Sequence, residues 1–218
     1  MRQLLLDLLP ESPPSLDNFV PGGNGETLAA FTAWLADEGG EFSFCLWGEA
    51  GCGRSHLLKA SGFAYHDAAA DPALAALPEA AALAVDHVDA LDGDGQIALF
   101  NAFNRSKAAG GRLLTAAPQP PAHLPLREDL RTRLGSGLIY RLQPLSDAEK
   151  AAALAAQAKE RALKLTPEAI HYLLRHAPRD MRTLSAFVVA LDRYTLEHKR
   201  ALTLPLLREL LQAPLEVR

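Results

Sequence analysis

Cysteine is scarce in this chain, with Cys45 and Cys52 the two examples among 218 residues. Two cysteines do not make the disulfide framework of a small secreted domain or a thiolate metal site. The seven histidines include no pair four residues apart, the spacing that places two metal ligands on one helix face. Cys45 lies within an apolar run and is expected in the core, and Cys52 is expected to be a small filler residue near a helix N-terminus, where a thiol pKa can fall.

Long apolar runs and an excess of positive charge are also missing. No run approaches the ~20 apolar residues that cross a membrane, and the N-terminal stretch has no small-residue cleavage site. We therefore expect no membrane partner and a cytoplasmic location. The formal net charge of -4 argues against the broad basic face of a nucleic-acid-binding protein, so direct sequence-specific DNA binding is not expected.

The most informative stretch covers residues 42–60, where an apolar run is followed by glycines and then by a helix-forming segment. Gly48, Gly51 and Gly53 precede Arg54 and Ser55 in the order G-x-x-x-x-G-R-S, the phosphate-binding P-loop pattern with arginine in place of lysine. Glycines let backbone N–H groups converge on a phosphate, and the helix that begins at Ser55 adds the positive end of its dipole. A Gly-rich turn without a ligand is the alternative.

The P-loop pattern predicts nucleotide binding, with weak or no intrinsic hydrolysis. A planar guanidinium fork at Arg54 cannot sit between the terminal phosphates as a lysine ammonium does. The apolar run 81–86 ends in an acid, Asp86, at the edge of the sheet where ligands bind. Asp86 is therefore a candidate for holding nucleotide-bound Mg²⁺, directly or through water. A capping role for Asp86 is the alternative. His87 follows where many P-loop ATPases have a second acid, and Asp89 is the nearby substitute.

The pattern of segments predicts an α/β fold with a mostly parallel sheet flanked by helices. Apolar runs at 42–47, 63–66, 81–86, 112–117 and 138–142 predict strands, and helical spacing appears at 26–37, 96–109 and 127–134. In the helix 96–109 we expect Ile97, Leu99, Phe100 and Phe103 to face inward. The alanine-rich stretch 68–78 is expected to be a linker or a short helix.

The character of the sequence changes near Pro144, after which helical spacing replaces strand patterns. Four helices are predicted, at 147–163, 167–176, 180–198 and 205–211, with N-caps at Ser146, Thr166, Asp180 and Thr203. We therefore expect an α/β nucleotide-binding domain over residues 15–145 and a small helical domain over residues 146–218.

Residues 1–14 are expected to form a flexible or extended tail, because the prolines that follow the leucine cluster stop a helix. Gln3, Leu4, Leu6 and Leu8 make a short apolar peptide with one amide head, a type of segment that docks in a groove as a linear motif. Packing of this segment on its own domain is the alternative.

Six short motifs occur in an order that resembles the AAA+ core of the DnaA-type bacterial replication initiators. They are LDNFVPGGN, GEAGCGRSH, LAVDHVDAL, LRTRLGSGL, LQPLSD and RDMRTL. The likeness covers nearly the whole chain and is greatest to the Hda-type regulatory inactivators of DnaA, which have the ATPase core without the initiator's N-terminal and DNA-binding domains. This resemblance implies a P-loop AAA+ fold with an all-helical lid domain, which binds ADP or ATP together with Mg²⁺.

The resemblance also implies roles for individual residues. Phe19 and Val20 would lie beside the adenine, Ser55 and Asp86 would hold Mg²⁺, and Arg182 would be the sensor 2 arginine that reaches nucleotide from the lid. The full set of implied nucleotide-binding residues is Phe19, Val20, Gly48, Gly51, Cys52, Gly53, Arg54, Ser55, His56, Asp86 and Arg182.

Two further implications concern partners. Arg133 matches the arginine finger that AAA+ proteins present to a neighbouring subunit, although an ordinary surface arginine paired with Glu128 or Asp129 is the alternative. The segment from Gln3 to Leu8 is similar to the family's hexapeptide for the DNA polymerase III sliding clamp. Family members, with the DNA-loaded clamp, stimulate ATP hydrolysis on the DnaA initiator, and an AAA+ core is also compatible with a homo-oligomer.

The chain departs from an active AAA+ ATPase at three places. Arg54 replaces the Walker A lysine, His87 replaces the second Walker B acid, and Ala116 and Ala117 stand where a polar sensor 1 side chain is expected. These departures favour a regulator of another protein's ATPase. A self-sufficient ATPase, such as a helicase loader or another DnaA-like replication factor, is the alternative function.

Overall fold

The computed structural model describes residues 13–36 and 40–212, which fall into two compact units. The first unit covers residues 14–144 and the second begins at Leu145. The predicted docking residues Gln3, Leu4, Leu6 and Leu8 lie outside the described residues. Among the helices that are described, each is too short or too polar to cross a lipid bilayer.

The first unit is a five-stranded sheet with helices between the strands. Its elements are α1 (Gly25–Leu35), β1 (Ser43–Gly48), α2 (Arg54–Ala60), β2 (Ala64–Asp67), β3 (Ala82–Asp86), α3 (Gly93–Ala108), β4 (Arg112–Ala117), α4 (Glu128–Leu134) and β5 (Leu138–Leu142), with short 3-10 turns at Val88–Ala90 and Pro121–His123. The strand order is β2-β3-β4-β1-β5 and all four pairings are parallel. This architecture confirms the predicted fold class.

Helices cover both faces of the sheet, which explains why the strands read as nearly continuous apolar runs. Leu83 and Val85 of β3 pack with the buried residues of α3 and α4. Ala84, between them, packs on the opposite face with the buried residues of α1 and α2. Because all strands are parallel, their carboxyl ends share one edge of the sheet, and the loops that leave this edge carry the predicted site residues.

The second unit is helical, with α5 (Asp147–Glu160), α6 (Pro167–His176), α7 (Met181–His198) and α8 (Leu204–Gln212) around one apolar core. The four predicted N-caps are confirmed, since each side chain accepts a hydrogen bond from the backbone N–H three residues later. The capping residues are Ser146, Thr166, Asp180 and Thr203.

Two local predictions were wrong. Helix α3 begins at Gly93, three residues before the predicted start, because Asp92 caps it by accepting from the Gly95 N–H at 2.8 Å. Ile97 is 46% exposed rather than inward-facing, since it lies two residues, or about 200° of helical rotation, from the buried Leu99.

For the stretch 68–78, the structure favours the linker over the short helix, because these residues form a series of turns.

Candidate functional site

The loop between β1 and α2 depends on two glycines. A Cβ at Gly48 would lie 2.2 Å from the Leu142 backbone oxygen on β5, and a Cβ at Gly53 would lie 2.7 Å from the Phe19 ring. Both residues also have positive φ, +156° and +103°, a conformation that L side chains rarely adopt. The predicted strand, Gly-rich loop and helix are therefore present, and the loop accepts no side chain at these two positions.

Phe19 is the residue of the first turn that lies against this loop. Its ring packs on Gly53 and lies 5.5 Å from the His56 ring in α2. His56 Nε2 is in turn 2.8 Å from the Ser15 carbonyl oxygen. Phe19 thus contacts Gly53 and His56, two residues assigned by resemblance to the same site, and Val20 is half-buried in the same turn.

Asn24 ties the Phe19 turn to the sheet. Its side-chain amide donates to the Gln143 carbonyl at 2.9 Å, and its Oδ1 accepts from the Gln143 N–H at 2.7 Å. Asn24 is 4% exposed, so these two bonds are shielded from water. The turn that carries Phe19 is therefore held at the end of β5, the strand that pairs with Gly48.

Arg54 begins α2 at the end of the loop. Its terminal nitrogen Nη1 is buried and has no hydrogen-bond partner. An unpaired buried N–H of a guanidinium is costly, and a phosphate oxygen is the type of acceptor that a guanidinium binds best. The Gly-rich loop and this orphaned nitrogen together fit a phosphate group.

The two cysteines beside Arg54 are packing residues. Burial raises the pKa of the Cys45 thiol to about 11, although a Thr115 hydrogen bond and the Arg54 charge act in the opposite direction. Burial also raises the pKa of the Cys52 thiol and outweighs its contacts with Arg54. The lowering considered for a thiol at a helix N-terminus does not occur, because Cys52 is removed from water. Its N–H donates to the Glu49 carbonyl within the loop at 3.3 Å.

Asp86 is buried at the end of β3 and bonded to two donors. Its Oδ2 accepts from the Tyr65 hydroxyl at 3.1 Å and its Oδ1 accepts from the His87 N–H at 2.9 Å. Burial, followed by the negative charge of Asp86, raises the pKa of Tyr65. Because each carboxylate oxygen has a further lone pair, these two bonds leave acceptor capacity for a cation. Ser55, the second proposed Mg²⁺ ligand, is half-buried in the first turn of α2.

The side chain of His87 is held by Asp67. The His87 backbone is left-handed, with φ +52°, and its Nδ1 lies 2.8 Å from Asp67 Oδ1 at the end of β2. Partial burial acts to raise the pKa of Asp67, but the bond with His87 and the Ala69 N–H lower it overall. Strand β2 lies on the far side of β3 from β1. The histidine is therefore directed away from the strand that carries the P-loop.

The end of β4 presents methyl groups. Ala116 and Ala117 are fully buried, on the two opposite faces of the sheet. Thr115 is also buried, opposite Cys45 in the register of β1 and β4. Asp89, in the turn after β3, is half-buried and its Oδ1 lacks a hydrogen-bond partner.

Arg133 lies in α4 and packs against α3. Its Cζ is 3.9 Å from the centre of the Phe100 ring, and its Nε donates to Asn104 Oδ1 at 3.1 Å. The alternative of a carboxylate pair within α4 is not observed, because the Asp129 carboxylate accepts from Arg127 at 2.9 Å. Arg133 Nη1 reaches only the backbone carbonyl of Asp129, at 3.5 Å.

Arg182 belongs to the second unit, where it is exposed in the first turn of α7. Its sensor 2 role stays a prediction.

The sequence interpretation did not anticipate Tyr65 and Asp67, which hold Asp86 and His87. Tyr65 lies on the strand predicted at 63–66, and Asp67 directly follows that range. In the structure both belong to β2, two residues apart, so they share one face of that strand. Their position beside the acidic end of a neighbouring parallel strand was the available signal.

Comparisons with known proteins agree with this geometry. Residues 147–211 match the family described as Hda, lid domain. Domain III of the Thermotoga maritima replication initiation protein DnaA is similar with a TM-score of 0.68 at 20% identity, over 93% of this chain and 98% of that one. AMPPCP-bound DnaA from Aquifex aeolicus has a TM-score of 0.64 at 22% identity, over 85% of this chain and 69% of that one.

A RuvB mutant from Thermotoga maritima is also similar, with a TM-score of 0.60 at 16% identity, over 91% of this chain and 71% of that one. At these identities the solved structures show the fold, which is that of AAA+ proteins. The chain therefore has the AAA+ fold of DnaA domain III, and its residues 147–211 are similar to the Hda lid domain.

Proposed function

We propose that this protein is an adenine-nucleotide-binding regulator of replication initiation, which acts with the DNA-loaded sliding clamp to stimulate ATP hydrolysis on the DnaA initiator. The observation that carries the proposal is a P-loop with an intact phosphate cradle beside strand ends that lack a hydrolytic set. Such a protein holds nucleotide and leaves the chemistry to a partner.

Nucleotide binding is supported by the loop itself. Gly48 and Gly53 allow the loop to pack tightly against Leu142 and Phe19, and Arg54 offers a buried unpaired donor. Phe19 lies against the same loop, as an adenine contact would require. The similar Aquifex aeolicus DnaA is bound to AMPPCP, an adenine nucleotide analogue. We propose ADP or ATP as the ligand of this chain.

Ser55 and Asp86 would hold the Mg²⁺ that accompanies the nucleotide. A hydroxyl and a carboxylate suit this ion, which keeps several waters and takes its remaining ligands from phosphates. The ion would neutralise phosphate charge. The Asp86 carboxylate accepts from the Tyr65 hydroxyl and from the His87 N–H. These two bonds position it before any ligand binds.

Weak intrinsic hydrolysis is supported by the residues that should position water. His87 is bonded to Asp67 on the side of β3 away from β1, and Ala116 and Ala117 have no polar side chain. Phosphoryl transfer depends on positioning and on charge balance rather than on covalent catalysis. Steady-state turnover of ~1 per second or faster by the purified protein would instead support the self-sufficient ATPase.

Action on a partner is assigned to Arg133. Its guanidinium lies on the surface formed by α3 and α4, and its charge is not neutralised by a carboxylate among the described residues. A guanidinium that reaches the transition state of phosphoryl transfer contributes ~10³ to 10⁵ in rate. Because Arg133 resembles the arginine finger of AAA+ proteins, we propose that this group acts on the nucleotide of the bound initiator.

One assay with initiator, ATP and DNA-loaded clamp tests the proposal. Arg133→Ala should lower the stimulated rate by ~10³ or more, with nucleotide and clamp binding retained, whereas Arg131→Ala in the same helix should not. Gln3→Ala with Leu4→Ala should abolish capture on immobilised clamp without changing the fold, since a linear motif binds through its own side chains. Stimulation that survives Arg133→Ala would assign the activity elsewhere.

A further inference from the structure

The Arg133 side chain is held by two uncharged groups on α3. Phe100 supplies a ring face 3.9 Å from Cζ, and Asn104 supplies an amide oxygen 3.1 Å from Nε. These residues are four apart, so they lie on one face of the helix. A ring and an amide orient a guanidinium without cancelling its charge, because neither is an anion.

Three other arginines of the chain are held differently, each with a carboxylate oxygen within 3 Å. Arg127 pairs with Asp129, Arg179 with Asp147 and Arg193 with Glu197. In the part of the chain that the structure describes, Arg133 has no carboxylate within the 4.0 Å of an ion pair, and its weakest contact is a backbone carbonyl at 3.5 Å. Its orientation is fixed while its charge stays unpaired.

We propose that Phe100 and Asn104 are positioning residues that hold the Arg133 guanidinium ready for an anionic group brought by a partner. This inference rests on the proposed function, in which that group is the phosphate chain of the initiator's nucleotide. Fixing the side chain reduces the rotamer entropy lost on contact. Keeping carboxylates away means that no existing ion pair has to break before the arginine meets phosphate.

Asn104→Asp tests the importance of an unpaired charge. The substitution keeps the shape of the side chain and replaces the neutral acceptor by a carboxylate, which pairs with Arg133. The maximal stimulated rate of ATP hydrolysis should fall at least about tenfold, a part of the ~10³-fold effect of an arginine finger. The initiator concentration at half-maximal stimulation should change little, and thermal stability should be unchanged or higher.

Asn101→Asp is the matched control, since it adds the same charge to an exposed position of the same helix. An equal loss of rate in this variant would show general repulsion of the partner and overturn the positioning role. Unchanged stimulation in Asn104→Asp would also overturn it.

Phe100 is tested by a pair of substitutions. Phe100→Leu keeps an apolar side chain but removes the ring face, and should lower the maximal stimulated rate; Phe100→Tyr keeps the ring and should restore it. Tryptophan fluorescence checks that each variant is folded, because Trp34 and Trp47 both lie in the first unit. The proposal would be contradicted if the stimulated rates of the Phe100 variants correlated with the stability of each variant and not with the presence of an aromatic ring.

The failure of this inference is distinguishable from failure of the proposed function. If Arg133→Ala abolishes stimulation while the Phe100 and Asn104 variants behave as wild type, Arg133 is still the arginine finger. The proposal that α3 positions it is then wrong. If Arg133→Ala leaves stimulation intact, the finger role proposed for Arg133 is wrong. The positioning role of Phe100 and Asn104 is then wrong as well, because it depends on that finger role.

Discussion

The loop after β1 and the ends of β3 and β4 lie at one edge of the same sheet, but they are built differently. The loop has glycines packed closely against Leu142 and Phe19 and an unpaired buried donor at Arg54. At the strand ends, His87 is bonded to Asp67, and the methyls of Ala116 and Ala117 stand where a polar side chain was expected. One region thus has an unpaired donor and the other has a histidine held away from the P-loop strand, a difference that under the proposed function separates nucleotide binding from hydrolysis.

The largest effect is expected from Gly48→Ala, which places a Cβ against β5. Its Cβ would meet the Leu142 oxygen at 2.2 Å and Cys52 Sγ at 3.0 Å, so β1 and β5 must separate at their paired ends. Overpacking and strained φ together should lower the free energy of unfolding by about 3 kcal/mol. Denaturant unfolding followed by the two tryptophans, both in the first unit, measures this value.

Gly51→Ala is the matched control in the same loop. Gly51 has φ +80°, but a Cβ there would have no heavy atom within 4 Å. Only the backbone strain of about 1–2 kcal/mol is then expected. Equal destabilisation by the two substitutions would contradict the close approach of β5 as the reason for glycine at position 48.

The next effect concerns Arg54→Met, which removes the donor but keeps much of the side-chain volume. Nucleotide affinity should weaken about 10- to 100-fold, because hydrogen bonds to charged groups contribute about 1.5–3 kcal/mol. Ligand-free stability should be unchanged or higher, since a buried unpaired nitrogen is lost. Calorimetric titration with ADP and thermal unfolding without it measure the two quantities.

Arg127→Met is the control for Arg54→Met, because Arg127 is exposed and paired with Asp129 in the first unit. It should leave nucleotide affinity within about threefold, as expected for an exposed pair of small energetic value. An unchanged ADP affinity in Arg54→Met would mean that the orphaned nitrogen does not face the ligand.

The sequence predicted the strands, the P-loop and the helical second unit well because these depend on local periodicity and capping. Ser146, for example, forms its capping box with Glu149, three residues away. The contacts that define the site are long-range and carry no local signal. Arg133 meets Phe100 across 33 positions of sequence, and Asn24 meets Gln143 across 119. Packing between elements, rather than residue preference, brings such pairs together.

The smallest effect is expected from Asp67→Asn, which loosens the hold on His87. Asp67 faces His87, the Ala69 N–H and the more distant Lys59, and these lower its pKa below the ordinary value. A carboxyl whose pKa is lower in the folded state stabilises the fold above its unfolded pKa, and the contribution disappears as pH falls through the folded pKa. The substitution should therefore lower the midpoint of thermal unfolding near neutral pH and lose its effect below about pH 4.

The expected size of the Asp67 effect is less than about 1 kcal/mol, because the pair is partly exposed and screened by solvent. Thermal unfolding of wild type and Asp67→Asn between pH 3 and 7 measures it, with the exposed Asp17→Asn as the control. A difference that grows toward acid would reverse the sign and show that Asp67 is strained by burial rather than stabilised by His87. In that case the bond between Asp67 and His87 would not stabilise the fold, and the contrast with the P-loop would have to rest on Ala116 and Ala117 alone.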